Sequence, residues 1–73
     1  MQSKKLVIIT ALSQDEQTTY AIAIPFTNIS EVNENSTTGA IWVKYWDEGK
    51  LTSKKLQGNS LIEVVSDLNE QVA

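Results

Sequence analysis

The chain has 73 residues, a formal net charge of −3, and neither cysteine nor histidine. A chain near this length buries only about 60% of the surface that its unfolded form exposes, so its own core is marginally stable. Disulfides are excluded and the usual zinc and copper ligands are missing, so we expect no metal site, no cofactor, and self-association into a homo-oligomer as the source of extra stability.

The first predicted strand covers residues 5–12, and apolar side chains occupy both of its faces. Leu6 and Ile8 share one face, and Val7 and Ile9 share the other, because side chains alternate along a strand. A strand that is apolar on both faces is typically covered on both. In so short a chain we expect the second cover to come from another subunit.

The second predicted strand covers residues 19–24 and places Ile22 and Ile24 on one face. Pro25 has no N–H, so it ends regular pairing and predicts a turn or one short helical turn after it. A shorter and more polar third strand is predicted over residues 29–34. Short runs of this composition, separated by polar loops, are typical of a β-rich domain.

The fourth and fifth predicted strands, residues 40–46 and 51–57, form a hairpin. Gly49 in the connection supplies the positive φ that tight hairpin turns require. Leu51 and Leu56 have opposite parity in the return strand. We therefore expect either a bulge between them or exposure of one of the two.

The last predicted element is an amphipathic helix over residues 60–71, for which Ser60 and Glu63 fit a capping box. Because the helical repeat brings every third or fourth residue to one face, the sequence predicts an apolar stripe that packs on the sheet. A charge in that stripe, as in Val65→Asp, should unfold the domain. The stripe consists of Leu61, Val64, Val65, Leu68 and Val72.

Together these elements predict an α+β fold over residues 1–73 as a single domain. It comprises a small antiparallel sheet or partly open barrel of about five strands, followed by one C-terminal amphipathic helix. No run approaches the roughly 20 apolar residues of a membrane span, so we expect no membrane association. We expect the protein in the cytoplasm of a bacterium or of a phage-infected host.

The residue types present give no indication of catalysis. The chain lacks histidine, cysteine and arginine, which are the commonest general base, thiol nucleophile and phosphate clamp. Gly39, Gly49 and Gly58 each end a predicted element, so no glycine-rich phosphate loop is present. We therefore predict no catalytic residues and no enzymatic activity.

Aromatic residues and lysines concentrate in the predicted hairpin, where bases could stack and ammonium groups could contact phosphates. The negative net charge and the missing arginine favour another interpretation, in which a tryptophan packs in a core or subunit interface and the lysines form a solvated edge. An oligomer could also enclose a pocket for a nucleotide. The candidate ligand-binding residues are Trp42, Lys44, Trp46, Lys54 and Lys55.

The predicted helix also carries an acidic face opposite its apolar stripe. Glu63, Asp67 and Glu70 follow one another at i, i+4 and i+7 without an intervening lysine. A solvated face is the ordinary interpretation of such a run. The alternative is a docking face for a basic partner, or for the lysines of a neighbouring subunit.

The order of elements and several short motifs carry a family resemblance. The motifs are Leu6 and Thr10, Ile29-Ser30-Glu31-Val32, Gly49-Lys50, and Ser60 with Glu63-Val64-Val65. With this pattern the chain resembles the small FlbD-like flagellar proteins, and it also resembles uncharacterised small phage accessory proteins. The resemblance implies no catalytic residue.

We therefore predict a small, non-enzymatic, homo-oligomeric interaction or accessory protein that binds a protein partner. The alternative prediction is a phage-type protein that binds or sequesters a nucleotide ligand, or single-stranded nucleic acid, through its tryptophans and lysines.

Overall fold

The computed structural model describes residues 5–58 and 60–73. Every predicted element is present there, and its bounds differ from the prediction by at most one residue at either end. The strands are β1 (Leu6–Leu12), β2 (Thr19–Pro25), β3 (Ile29–Glu34), β4 (Ile41–Asp47) and β5 (Lys50–Leu56); a single 3-10 turn (Phe26–Asn28) precedes β3, and the helix α1 spans Leu61–Val72.

The five strands form one antiparallel sheet in the order β2-β1-β5-β4-β3. In the described residues, the β1–β2 hairpin and the β3–β4–β5 meander join where Ala11 of β1 pairs with Leu56 of β5 and the Gln57 N–H donates to the Thr10 carbonyl. The sheet is therefore open, with β2 and β3 as its edges, and it does not close into a barrel. The α+β prediction is confirmed in its open-sheet form.

Strand alternation gives the sheet an inner face, which α1 covers, and an outer face. Val7, Ile9 and Val43 are almost fully enclosed on the inner face, and Leu68 is the buried residue of α1. Packing these apolar groups together is the main source of stability. The enclosed cluster consists of Val7, Ile9, Ile24, Ile41, Val43, Tyr45, Leu56 and Leu68.

A glutamine side chain takes the place of a neighbouring strand beside β1. The Ile8 N–H donates to Oε1 of Gln71 at 2.7 Å, and Nε2 of Gln71 donates to the Ile8 carbonyl at 2.9 Å. Nζ of Lys5 also donates to the carbonyl of Val72 at 3.2 Å. These bonds fasten the end of α1 to β1 and satisfy backbone groups that β5 does not reach.

The β4–β5 hairpin has the predicted tight turn. Asp47 pairs with Lys50, and the two residues between them, Glu48 and Gly49, have φ values of 51° and 82°. Two consecutive positive φ values are those of a type I′ turn, which matches the twist of the flanking strands. The register of β5 on β4 is regular, so exposure of Leu51, and not a bulge, resolves the opposite parity of the two leucines.

The structure confirms the helix start and corrects the apolar stripe. The Ser60 hydroxyl accepts a hydrogen bond from the Glu63 N–H at 3.2 Å. Val65, however, is 38% exposed and does not belong to the packed face, which removes the reason to expect that Val65→Asp unfolds the domain. Val65 lies too far around the helix axis from the buried Leu68 to face the sheet. Among the described residues, no helix is both long and apolar enough to cross a membrane.

Candidate functional site

The outer face of the β1–β2 hairpin is apolar and open to solvent. Leu6 and Ile8 are 60% and 56% exposed. In the register of the hairpin, Ile8 stands beside Ala23, and Ala21 stands next along β2. Within the described chain only the inner face of β1 is covered. The small alanine side chains leave Ile8 accessible to a flat partner surface.

The predicted aromatic and lysine residues divide between the two faces of the β4–β5 hairpin. Trp42 stands opposite Lys55 on the outer face, and Lys44 lies on the same face of β4. Lys54 stands opposite the buried Val43, so its Cβ lies on the inner side of the ladder. Register alone therefore places Lys54 apart from the other candidates.

A surface cavity of about 380 Å³ nevertheless brings part of this set together. It lies between the β1–β2 loop and the strands β4 and β5. Trp42 and Tyr20 contribute aromatic rings, and Lys54 and Lys55 contribute two ammonium groups. Its other lining residues are Leu12, Ser13, Gln14, Glu16 and Ser53.

The β1–β2 loop that forms one wall of the cavity is organised by Asp15. The Asp15 carboxylate accepts hydrogen bonds from the Ser13 hydroxyl and from the Gln17 N–H. These bonds favour the ionised form and hold the pKa of the Asp15 carboxyl below its ordinary value. The Ser13 N–H donates to the Thr18 carbonyl at 2.9 Å and closes the loop at its base.

An ion pair crosses the cavity. Nζ of Lys55 lies 2.8 Å from Oε1 of Glu16, whose backbone has a positive φ of 60°. Both side chains are partly exposed, so the pair contributes little to stability. The Glu16 carboxylate offsets the positive charge of Lys55, which is one of the two lysines that line the cavity. An anionic ligand at Lys55 would have to compete with Glu16, whereas Lys54 carries no salt bridge in the described part of the chain.

The remaining candidates of the hairpin lie outside this cavity. Trp46 is 49% exposed on the outer face and stands opposite Leu51. Its carbonyl accepts a hydrogen bond from the Asn28 side chain at 3.1 Å, which holds the 3-10 turn against β4. Lys44 stands opposite Glu31 of β3. The structure thus brings together Trp42, Lys54 and Lys55, and separates Lys44 and Trp46 from them.

The three predicted acidic residues of α1 are all exposed, but they do not share one environment. Glu63 and Asp67 line a groove of about 210 Å³ between α1 and β1, which also contains Thr10. Oδ2 of Asp67 accepts a hydrogen bond from Nε2 of Gln71 at 3.0 Å. Asp67 therefore helps to orient the glutamine that binds β1, and Glu70 does not line this groove.

Sequence reasoning missed two features of these surfaces. Ile62 is 81% exposed and lines a shallow depression of α1 with Leu61 and Val65, so the helix carries a second apolar surface. The position of Ile62 beside the predicted stripe is the signal that could have shown it. Tyr20 enters the cavity because its strand begins directly after the β1–β2 loop, which no local pattern indicated.

The described residues supply aromatic, cationic and apolar groups to the site. No cluster of three or more carboxylates is close enough to hold a metal ion among residues 5–58 and 60–73. In the same residues, no buried side-chain nitrogen or oxygen lacks a hydrogen-bond partner. The arrangement can stack an aromatic ring, attract a single anionic group, and bury apolar surface.

Comparison of this chain with protein-family models, with curated proteins and with solved structures finds no match. The resemblance to the FlbD-like proteins therefore stays a prediction.

Proposed function

We propose that this chain is a small, non-enzymatic interaction protein that associates with itself and binds a protein partner. The observation that supports this proposal is the open outer face of β1, where Leu6 and Ile8 lie side by side with more than half of each exposed. Fully burying one such side chain contributes about 1.5–3 kcal/mol relative to leaving it in water. Association is the way for a chain of this size to gain that free energy.

The surface that we assign to the protein partner is the exposed side of α1. Ile62 and Val65 form its apolar part. Glu63 and Glu70 on the same helix are exposed and add negative charge. A partner segment that combines apolar and basic side chains would be complementary in both respects.

The self-association is tested by light scattering of the purified chain and two matched variants. Leu6→Ser with Ile8→Ser removes the apolar pair from β1, while Leu51→Ser removes a leucine of the other hairpin that is about half exposed. We expect the wild type and Leu51→Ser to associate at micromolar concentration and the double variant to associate more weakly. A monomeric wild type would contradict the proposal.

The cavity supports a second candidate function, which is the binding of a nucleotide or a short single strand of nucleic acid. Trp42 and Tyr20 offer rings on which a base could stack, and Lys54 offers a cation for a phosphate. The two tryptophans provide the control, since Trp42 lines the cavity and Trp46 does not.

This candidate is tested by fluorescence with each tryptophan retained alone. In Trp46→Phe, adenosine triphosphate or an oligothymidylate should quench the emission of Trp42, and added salt should weaken the quenching. In Trp42→Phe, the emission of Trp46 should not change. Equal quenching in both variants, or none in either at low salt, would dismiss a site in this cavity.

We also propose that the protein acts in the cytoplasm of a bacterium or of a phage-infected host. The absence of cysteine is compatible with a reducing compartment. Cell fractionation with an antibody against the chain tests this location. Recovery from the membrane or extracellular fraction would contradict it.

A further inference from the structure

The two edges of the sheet differ in how they are protected against pairing with another strand. The edge strand β3 carries Glu31 and Glu34, and a register irregularity interrupts it between Ile29 and Glu31. Charged residues and bulges are the features that keep edge strands from pairing. The edge strand β2, Thr19–Pro25, has seven residues, no charged side chain, and a regular register on β1.

The hydrogen bonds of β1 show which backbone groups of β2 point outwards. The N–H and C=O of Ile8 bond to Gln71, and the Thr10 carbonyl accepts from the Gln57 N–H, so neither residue uses these groups on β2. Their register partners on β2 are Ala23 and Ala21. In an antiparallel ladder the two members of such a pair both direct their N–H and C=O away from each other.

Ala21 and Ala23 therefore direct their backbone groups to the free edge, and Thr19 does so by the same alternation. The Phe26 N–H donates to the Lys5 carbonyl at 2.8 Å, so the residue after Pro25 points inwards, as the alternation requires. Pro25 follows the same alternation, so the N–H that it lacks is one that would have pointed outwards. The side chains of both alanines are exposed, so the edge is accessible beside them.

We propose that β2 pairs antiparallel with β2 of a second copy of this chain, about a twofold axis at Ala21. This inference rests on the self-association in the proposed function and adds a second contact to it, because edge pairing leaves Leu6 and Ile8 of each copy exposed. In this register Ala21 faces Ala21 of the second copy, and Thr19 faces Ala23 of the second copy. All three residues have an N–H, so the pairing is complete without Pro25.

The side chains favour the same register. Tyr20 stands directly opposite Ile22 of the second copy, in the close type of cross-strand pair. Tyr20 is 41% exposed and Ile22 is half-buried, so pairing would bury further surface of both residues. Aromatic and β-branched residues are among the favourable cross-strand partners. The uncharged strand also brings no like charges together at the axis.

The outer faces of the two copies become continuous across this junction. Ala21 and Ala23 lie between the axis and the exposed Ile8 of each copy. The apolar surface of the β1–β2 hairpin is then doubled on one side of a ten-stranded sheet. A second copy fits this edge because neither strand carries a charge, and because the register about Ala21 pairs the outward N–H and C=O groups of Thr19, Ala21 and Ala23 without using Pro25.

The register is tested by placing opposite charges on the twofold axis. Ala21→Lys should weaken self-association by at least roughly tenfold, because the two lysines stand opposite each other, with Cα atoms about 5.5 Å apart, and their like charges repel. Ala21→Glu should do the same. Mixing the two variants in equal amounts should restore a dimer of one copy of each, as native mass spectrometry resolves by mass.

Thr10→Lys is the matched control, since Thr10 is exposed on the same outer face but lies one strand in from the edge. The two added charges are then about three strand spacings apart, or roughly 14 Å, and salt screens them. We expect this variant to form the edge-paired dimer nearly as the wild type does. Circular dichroism confirms that each variant is folded.

Amide exchange of the wild type supplies a test that needs no substitution. The N–H groups of Ala21 and Ala23 should exchange slowly in the associated protein and quickly after dilution. If the wild type associates but these amides and the lysine variants behave as unpaired, the β2 edge is overturned while the proposed function stands. If the wild type never associates, both fail.

Discussion

The two faces of β1 carry similar side chains but differ in burial. Val7 and Ile9 are almost completely enclosed, whereas Leu6 and Ile8 between and beside them are more than half exposed. The four residues are consecutive and equally apolar, so composition cannot explain the difference. The cause is the number of covering elements, since residues 5–58 and 60–73 contain one α-helix for a sheet with two faces.

In β1, one face therefore stabilises the fold and the other face is available for interaction. The inner face stabilises the fold through contact with α1 and with the other strands. The outer face leaves apolar surface in water, where it contributes nothing to the isolated chain and is available for a partner. Substitutions on the inner face should therefore change the free energy of unfolding, and substitutions on the outer face should change association. The helix α1 allows the same comparison between its buried and its exposed side.

The largest effect is expected on the helix. Leu68→Asp places a charge in the enclosed cluster and should unfold the chain. Val65→Asp places the same charge on the exposed side of α1 and should leave the protein folded. Circular dichroism melting curves of the two variants check this, and equal melting temperatures would show that α1 does not pack as described.

The second prediction compares adjacent isoleucines on β1. Ile9→Ala removes enclosed methyl and methylene groups and should reduce the free energy of unfolding by about 2–5 kcal/mol. Ile8→Ala should change it by no more than roughly 0.5 kcal/mol in the monomer. Urea titrations at low concentration measure both, and the cost of Ile8→Ala should rise with protein concentration.

The third prediction concerns the bond between α1 and the open side of β1. Gln71→Ala removes both hydrogen bonds to the Ile8 backbone and should cost about 1–3 kcal/mol of unfolding free energy. Asn69→Ala, at an exposed position of the same helix, is the control. Urea titration should show a lower midpoint only for the glutamine variant.

The smallest effect is expected in the β1–β2 loop. The lowered pKa of the Asp15 carboxyl means that folding favours its ionised form, so this contribution is present above the ordinary carboxyl pKa. It is lost as the pH falls through the lowered pKa of the folded state. Asp15→Asn should melt slightly earlier than the wild type at neutral pH, and the difference should disappear in acid. A difference that persists at low pH would show another origin.

Much of this fold could be predicted from local patterns. The alternation of apolar residues, the glycine of the hairpin turn and the serine at the helix start each act over a few residues, so they predicted the elements closely. Which face of each element is buried depends on residues that are distant in sequence. Ile8 and Ile9 read alike until the position of α1 is known, and Val65 differs from Leu68 only through that packing.

The cavity was less predictable than the sheet. Trp42 and Lys55 share a face by register, which alternation can anticipate once the hairpin is known. Tyr20 and Glu16 reach the same cavity from the β1–β2 loop, and the path of that loop depends on the hydrogen bonds of Asp15. Sequence patterns predict residues within one hairpin and do not predict which loop lies beside it.

Self-association is tested most directly by sedimentation equilibrium of the unmodified chain. One chain has a mass of 8.1 kDa. We predict an average mass that rises with concentration towards a multiple of this value in the micromolar range. A mass that stays at that of one chain throughout this range would contradict the account.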